Sequence, residues 1–228
     1  PAVQLRKPPQ PCFNATRVIQ KNGLEMTLFT PAAPLILASR SRWRRALLVA
    51  AGLEAEIAPS GVDEDAVKEQ FPLDAPDADL PMTLAELKAR QVAAHHPEAL
   101  VLGADQILTC SGKRFDKPTD AADAAAHLRT FSGRTHCLVT AAVVMHKDRR
   151  IWHTVERPRL TMRRLTETYI EGYLAAELPD ILETVGAYRL EGHGVQLFEK
   201  IDGNYFTILG LPILPLLAFL RQRGDLAA

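Results

Sequence analysis

The sequence predicts one α/β unit built on a mixed sheet. Three observations carry that expectation. Apolar runs of β type alternate along the chain with segments of helical spacing, which favours a sheet covered by helices. Hairpin signals such as Ser111-Gly112 interrupt the alternation and require antiparallel pairs in the sheet. No internal repeat and no independent linker divides the 228 residues, and that length can bury a substantial core.

In order, residues 1–24 carry Arg6, Lys7, Arg17 and Lys21, no acid and several prolines. That is the composition of a disordered leader, and it lacks the continuous apolar run of a secretory signal. The expected division is a leader over 1–30 and a folded unit over 31–224, with Met26 as an alternative start just before the first clear element. Leu35–Ala38 is an apolar β run that breaks at Ser39 and Ser41. Trp43, Ala46, Leu47, Ala50 and Ala51 then recur at helical spacing up to a stop at Gly52. Leu53–Ala58 reads as a short strand and Lys68 to Pro81 as a loop rich in proline and aspartate. Thr83 is the expected cap of a helix running to about His95.

Leu100–Gly103 reads as a buried strand that continues through Ile107–Cys110, turns at Ser111-Gly112 and returns toward Lys117-Pro118. Thr119-Asp120 opens an alanine-rich helix to about Thr130. Thr135–Met145 and Ile151–Met162 are expected strands, and Thr166–Glu177 a helix. Val195–Ile201 and Tyr205–Leu209 read as a last hairpin across Asp202-Gly-Asn204. Pro212 suits the first turn of a terminal helix to about Arg223.

Composition narrows the function classes. Lys+Arg and Asp+Glu balance at 27 each, so nothing global calls for nucleic acid or a membrane surface as partner. No run is long and apolar enough to be a membrane helix. Cys12, Cys110 and Cys137 have neither metal spacing nor a disulfide framework and fit a reducing, cytoplasmic compartment.

The chemistry concentrates at two places. A strand that turns through Ser39 and Ser41 into a helix leaves the first helical amides facing outward, where they attract anions. Arg40, Arg42, Arg44 and Arg45 join them with guanidiniums suited to phosphate. A solvated basic helix start is the alternative, and composition alone does not separate the two. Arginines there oppose the helix dipole, which an anion would relieve. Asp105 is the second place: an acid inside a buried run beside Gly103 suits a strand facing a cleft, although a turn aspartate is the plainer alternative. With Glu64 it would make the oxygen-rich pair that Mg²⁺ takes beside substrate phosphates. Lys88 and Lys117 could add point charges.

These pieces, in this order, resemble the Maf family of nucleoside triphosphate pyrophosphatases. The resemblance rests on Ala38-Ser-Arg-Ser-Arg-Trp-Arg-Arg45, Val62-Asp-Glu64, Lys88-Ala89, Gly103-Ala-Asp105, Lys117-Pro118, Ser132-Gly-Arg-Thr-His136, Gly186-Ala-Tyr188 and Gly210-Leu-Pro212. It covers roughly residues 35–222. Each motif is weak alone and the ordered set is specific. It implies an elongated α/β fold of the Maf-like, ITPase-like kind, with a mixed sheet flanked by helices and a central cleft. It also implies a cytoplasmic, homodimeric enzyme that uses Mg²⁺, Mn²⁺ or Co²⁺ to split a nucleoside triphosphate between the α and β phosphates. By the resemblance, Ser39, Ser41, Arg44, Arg45, Lys88 and Lys117 would bind phosphate, with Lys117 in the catalytic group. Glu64 and Asp105 would hold the metal and handle the attacking water. Two departures stand out: Arg42 replaces the usual proline, and Thr184 replaces a lysine.

The base is read from two positions. Family members acting on dTTP and UTP typically have Arg at Trp43 and Gln at Glu191, whereas Trp43, Glu191 and Gln106 resemble the 7-methyl-GTP branch. N7-methylation makes guanine cationic, which suits an indole face, and a carboxylate accepts from its N1–H and amine. Helix packing for Trp43 and an exposed loop acid for Glu191 are the plain alternatives. A non-catalytic nucleotide-binding regulator of cell division is the rival from another class, and an intact carboxylate pair argues against it.

Overall fold

In the computed structural model, which describes residues 19–21, 24–26, 29, 31–72 and 74–227, two long strands carry the architecture. β5 (Leu100–Cys110) and β7 (Thr135–His146) pair antiparallel from Val101 against Met145 to Thr109 against Cys137. Their near-continuous apolar runs are buried almost throughout, as strands covered on both faces must be. On one side β5 meets β3 (Leu35–Leu37) in parallel, and β3 meets the two-residue β4 (Glu56–Ile57), also in parallel. On the other side β7 carries two strands on one edge. β8 (Arg149–Glu156) pairs with its second half and β9 (Arg159–Met162) with its first residues.

The expected single strand over Ile151–Met162 is therefore split. Pro158 lies in the break and cannot donate to a ladder, while its carbonyl accepts from Leu138 N at 3.0 Å. β10 (Phe198–Asp202) extends the sheet beyond β9, and β6 (Lys113–Phe115) pairs back on β5. Ser111 and Gly112 turn between β5 and β6 at φ 51° and 76°, the left-handed pair that a two-residue hairpin needs. The mixed sheet flanked by helices is the fold class expected from the sequence.

Of the expected leader, most lies outside the described residues. Within it, β1 (Ile19–Lys21) and β2 (Leu24–Met26) pair antiparallel, and Phe29 bridges Leu226.

α1 (Arg42–Ala50) is capped by Ser41, whose side chain accepts from Arg44 N. α2 (Glu64–Gln70) occupies ground expected to be loop. Asp63 caps it by accepting from Ala66 N, and Val67 and Phe71, four residues apart, pack onto the core. α3 (Asp79–Ala93) begins four residues before the expected cap at Thr83. Pro81 falls in its first turn, where a missing N–H costs nothing.

α3 lies against β5 and β7 at unusually short range. A Cβ on Gly103 would stand 2.1 Å from Ala85 O and 2.8 Å from Ala89 Cβ. Only glycine in the strand and alanines in the helix permit that approach, and it puts Lys88 against β5.

α4 (Ala121–Phe131) is capped by Asp120 and α5 (Glu167–Glu177) by Thr166. The expected last hairpin is not formed. β10 pairs with β9 instead, and Tyr205–Ile208 is a short helix, α6. Asn204 decides this by accepting from Phe206 N and Thr207 N as a helix cap. α7 (Ile213–Arg223) follows Pro212 and ends at Gly224 in the left-handed conformation.

Candidate active site

The C-terminal ends of β3 and β4, the start of α1, α2 and the Gly186–Glu191 segment surround a cleft of about 1070 Å³. Its least exposed charged side chain is that of Lys88. The Lys88 ammonium lies 2.6 Å from Asp105 Oδ1 and 2.8 Å from Glu64 Oε1. The lysine and Asp105 side chains are 6% and 8% exposed, whereas that of Glu64 is 44% exposed. One buried cation thus joins a buried and a half-open carboxylate.

Burial and charge act oppositely on the two acids. Burial dominates at Asp105 and holds its pKa above the ordinary aspartate value, despite the pull of Lys88 and Arg44. At Glu64 burial also pushes upward, but Lys88, Lys68 and Arg44 together outweigh it and leave the pKa below its usual value. Two carboxyl groups with opposite shifts on one lysine are suited to different tasks, the raised one to taking a proton.

Arg44 frames the same floor. Its Nε donates to Gly210 O at 2.9 Å and its Nη1 to Ser39 Oγ at 3.1 Å. Ser39 Oγ also accepts from Ser41 N at 3.2 Å. Burial lowers the Arg44 pKa against the opposing pull of Asp105 and Glu64. The serine turn therefore holds a guanidinium in place at the mouth of α1.

Most of the expected residues converge here. Ser39, Ser41, Trp43, Arg44, Glu64, Lys88, Asp105, Lys117 and Glu191 line one cleft. Ser41 Oγ is already engaged as the α1 cap, 3.3 Å from Arg44 N, so its structural role comes first. Arg45 does not line the cleft and is exposed. It follows Arg44 by one helical residue, a rotation of about 100° that turns its side chain away.

Lys68 and Arg189 are cleft residues that sequence reasoning missed. Lys68 pairs with Asp116 at 2.7 Å and Asp65 at 3.5 Å. The Asp63 cap and the Val67–Phe71 spacing signalled the helix that carries it. Arg189 also faces the cleft, as does Gln106, which the sequence singles out together with Trp43 and Glu191. Gln106 Nε2 donates to Thr140 Oγ1 at 2.7 Å and Thr207 O at 3.0 Å.

Glu64 and Asp105 are the residues that could hold a divalent cation. Among the described residues no group of three or more His, Cys, Asp or Glu gathers for a metal. Their oxygens nevertheless converge on one shared positive charge. Two carboxylates, with water and phosphate completing the shell, fit Mg²⁺ or Mn²⁺ and do not fit a zinc cage.

The family model for Maf-like protein matches residues 34–223. This chain belongs to the Maf family. Among curated Maf relatives, a "Nucleoside triphosphate pyrophosphatase" of Granulibacter bethesdensis is 49% identical over 84% of this chain and 98% of its own length. Two proteins named "7-methyl-GTP pyrophosphatase" are similarly near. That of Rhizobium meliloti is 46% identical over 85% of this chain and 98% of its own, and that of Rhizobium etli 49% identical over 84% and 97%. The matched span contains the whole cleft, from Ala38 to Gly210.

Proposed function

We propose that this Maf protein hydrolyses a nucleoside triphosphate between its α and β phosphates, releasing the monophosphate and pyrophosphate. The carrying observation is the Glu64–Lys88–Asp105 cluster, set beside Arg44 and Ser39 in one cleft. The names of the relatives support the same reaction.

In this reading Arg44, Lys88 and the more open Lys68 and Lys117 bind the phosphate chain and offset its charge. Asp105, raised by burial, orients the attacking water and takes its proton. The water oxygen bonds to phosphorus as the α–β bridging bond breaks, and the electron pair of that bond leaves with pyrophosphate. A divalent cation held by Glu64 and Asp105 would supply neutralisation of charge on the phosphate oxygens. Lys88 fixes the spacing of the two carboxylates.

In the same cleft, Trp43 and Glu191 are proposed to read the base, with 7-methyl-GTP as the preferred substrate. Trp43 lines the cleft, and an indole face is the kind of surface on which an N7-methylated, cationic guanine would stack. Glu191 lines the same cleft, where its carboxylate would accept from the N1–H and exocyclic amine of the base.

The test is product analysis with 7-methyl-GTP, GTP, dTTP, UTP and CTP and Mg²⁺ or Mn²⁺. Monophosphate and pyrophosphate in equal amounts, fastest from 7-methyl-GTP, are expected. Diphosphate and inorganic phosphate would sink the α–β assignment. A preference for dTTP or UTP would keep the reaction and remove Trp43 and Glu191 as readers of a methylated base.

A further inference from the structure

A second charged cluster lies beside the proposed base site. Glu177, at the end of α5, is 3% exposed yet ionisable. Its Oε2 accepts from Arg189 Nε at 2.9 Å, and its Oε1 lies 2.6 Å from His193 Nδ1 and 3.2 Å from His193 N. Arg189 reaches on through Nη1 to Asp180 Oδ2 at 2.7 Å, and Arg42 donates to Asp180 Oδ1, also at 2.7 Å. The chain Glu177–Arg189–Asp180–Arg42 thus runs from a buried carboxylate to the first residue of α1.

Its two guanidiniums meet at Trp43. Arg42 lies 4.4 Å and Arg189 5.5 Å from the indole ring centre. The Trp43 Nε1 is buried with no hydrogen-bond partner among the described residues. An unmet indole N–H costs stability, so the ring is held in place by other contacts, and two tethered cations provide them.

The backbone is shaped for the same purpose. A Cβ on Gly194 would fall 2.3 Å from Arg189 O, and one on Gly192 would fall 3.1 Å from Glu177 Oε2. The Gly192-His-Gly194 run therefore wraps closely around the Arg189–Glu177 pair. Gly186 and Ala187, at φ 86° and 59°, turn the chain into that position. Glu191 lies two residues beyond Arg189 on the same segment, so one anchor fixes both the indole and the carboxylate.

We infer that Glu177 and Asp180 are positioning residues that set base selectivity by clamping Arg42 and Arg189 around Trp43 and anchoring the Glu191 segment. This rests on the reading of Trp43 and Glu191 as the base site. Neither Glu177 nor Asp180 lines the cleft, so both act through the arginines.

Asp180→Asn is the main test, since the Asp180 side chain is 40% exposed and its loss should leave folding intact. The selectivity ratio, kcat/KM for the best nucleotide over that for an unmodified competitor, should fall about tenfold through KM, with kcat within about twofold. Asp180→Glu should restore most of the ratio, and Glu177→Gln should lower it as Asp180→Asn does. A ratio unchanged in both Asp180→Asn and Glu177→Gln overturns the inference. Trp43 emission, read in a Trp152→Phe background without any substrate, tests the clamp independently of turnover. It should shift in Asp180→Asn, and unshifted emission also overturns the inference. Wild-type protein that releases pyrophosphate from no triphosphate would sink the proposed reaction instead, while the emission still decides the clamp.

Discussion

Lys88→Met is the most informative single change to the cluster. The methionine keeps most of the side-chain volume and removes only the ammonium that bridges Asp105 at 2.6 Å and Glu64 at 2.8 Å. Glu64 is 44% exposed and can turn to water, so its half of the pair contributes little to the loss. Asp105 cannot, because its side chain is 8% exposed, and it is left buried with Arg44 as its remaining counter-charge. Breaking a buried pair by removing one partner costs about 3–5 kcal/mol, and Arg44 as a remaining counter-charge puts the expectation near the lower end. Asp105→Asn should relieve most of it, since a neutral amide needs no counter-ion. Urea unfolding of wild type, both single variants and the double variant gives the coupling directly. A coupling of about 2 kcal/mol or more is expected. A coupling under about 0.5 kcal/mol would refute the claim that Lys88 is the counter-ion of a buried Asp105.

Other expectations follow from individual contacts. Gly103→Ala places a Cβ 2.1 Å from Ala85 O, so α3 must move off the sheet. Melting should show a loss of about 1–3 kcal/mol, with activity reduced as Lys88 withdraws from Asp105. Arg44→Lys cannot keep bonds to both Gly210 O and Ser39 Oγ, and steady-state kinetics should show kcat/KM down about tenfold. His136 is buried, and burial pulls its pKa from 6.5 down to about 4. The unfolded chain then takes the proton first, so this contribution is complete above pH 6.5 and is lost as pH falls toward about 4. The full span is worth about 3 kcal/mol. His136→Gln should flatten the slope of urea stability between those limits, and an unchanged slope would contradict the assignment.

The long strands, the capped helices and the serine turn were legible because each is written locally, in apolar runs, cap residues and spacing. Lys88 and Asp105 were readable as separate candidates but not as a pair. Their contact depends on the helix-to-sheet distance that Gly103, Ala85 and Ala89 set together, and no local pattern states it. α2 was overlooked because its acidic start resembles an exposed loop until Val67 and Phe71 are seen to face the core. The Tyr205–Ile208 stretch has the β-rich composition of a strand, yet the Asn204 cap and the pairing of β10 with β9 make it a helix. Arg189 carried no sequence signal, because its partners Glu177 and Asp180 come from an earlier helix and turn.

The most direct measurement is turnover and nucleotide binding by Asp105→Asn with Mg²⁺ present. Asparagine keeps the shape and a bond to Lys88 but cannot take a proton from water. Pyrophosphate release should fall about a thousandfold while the nucleotide Kd stays within about threefold. Turnover within about threefold of wild type would show that the chemistry does not run through the buried carboxylate of this cleft.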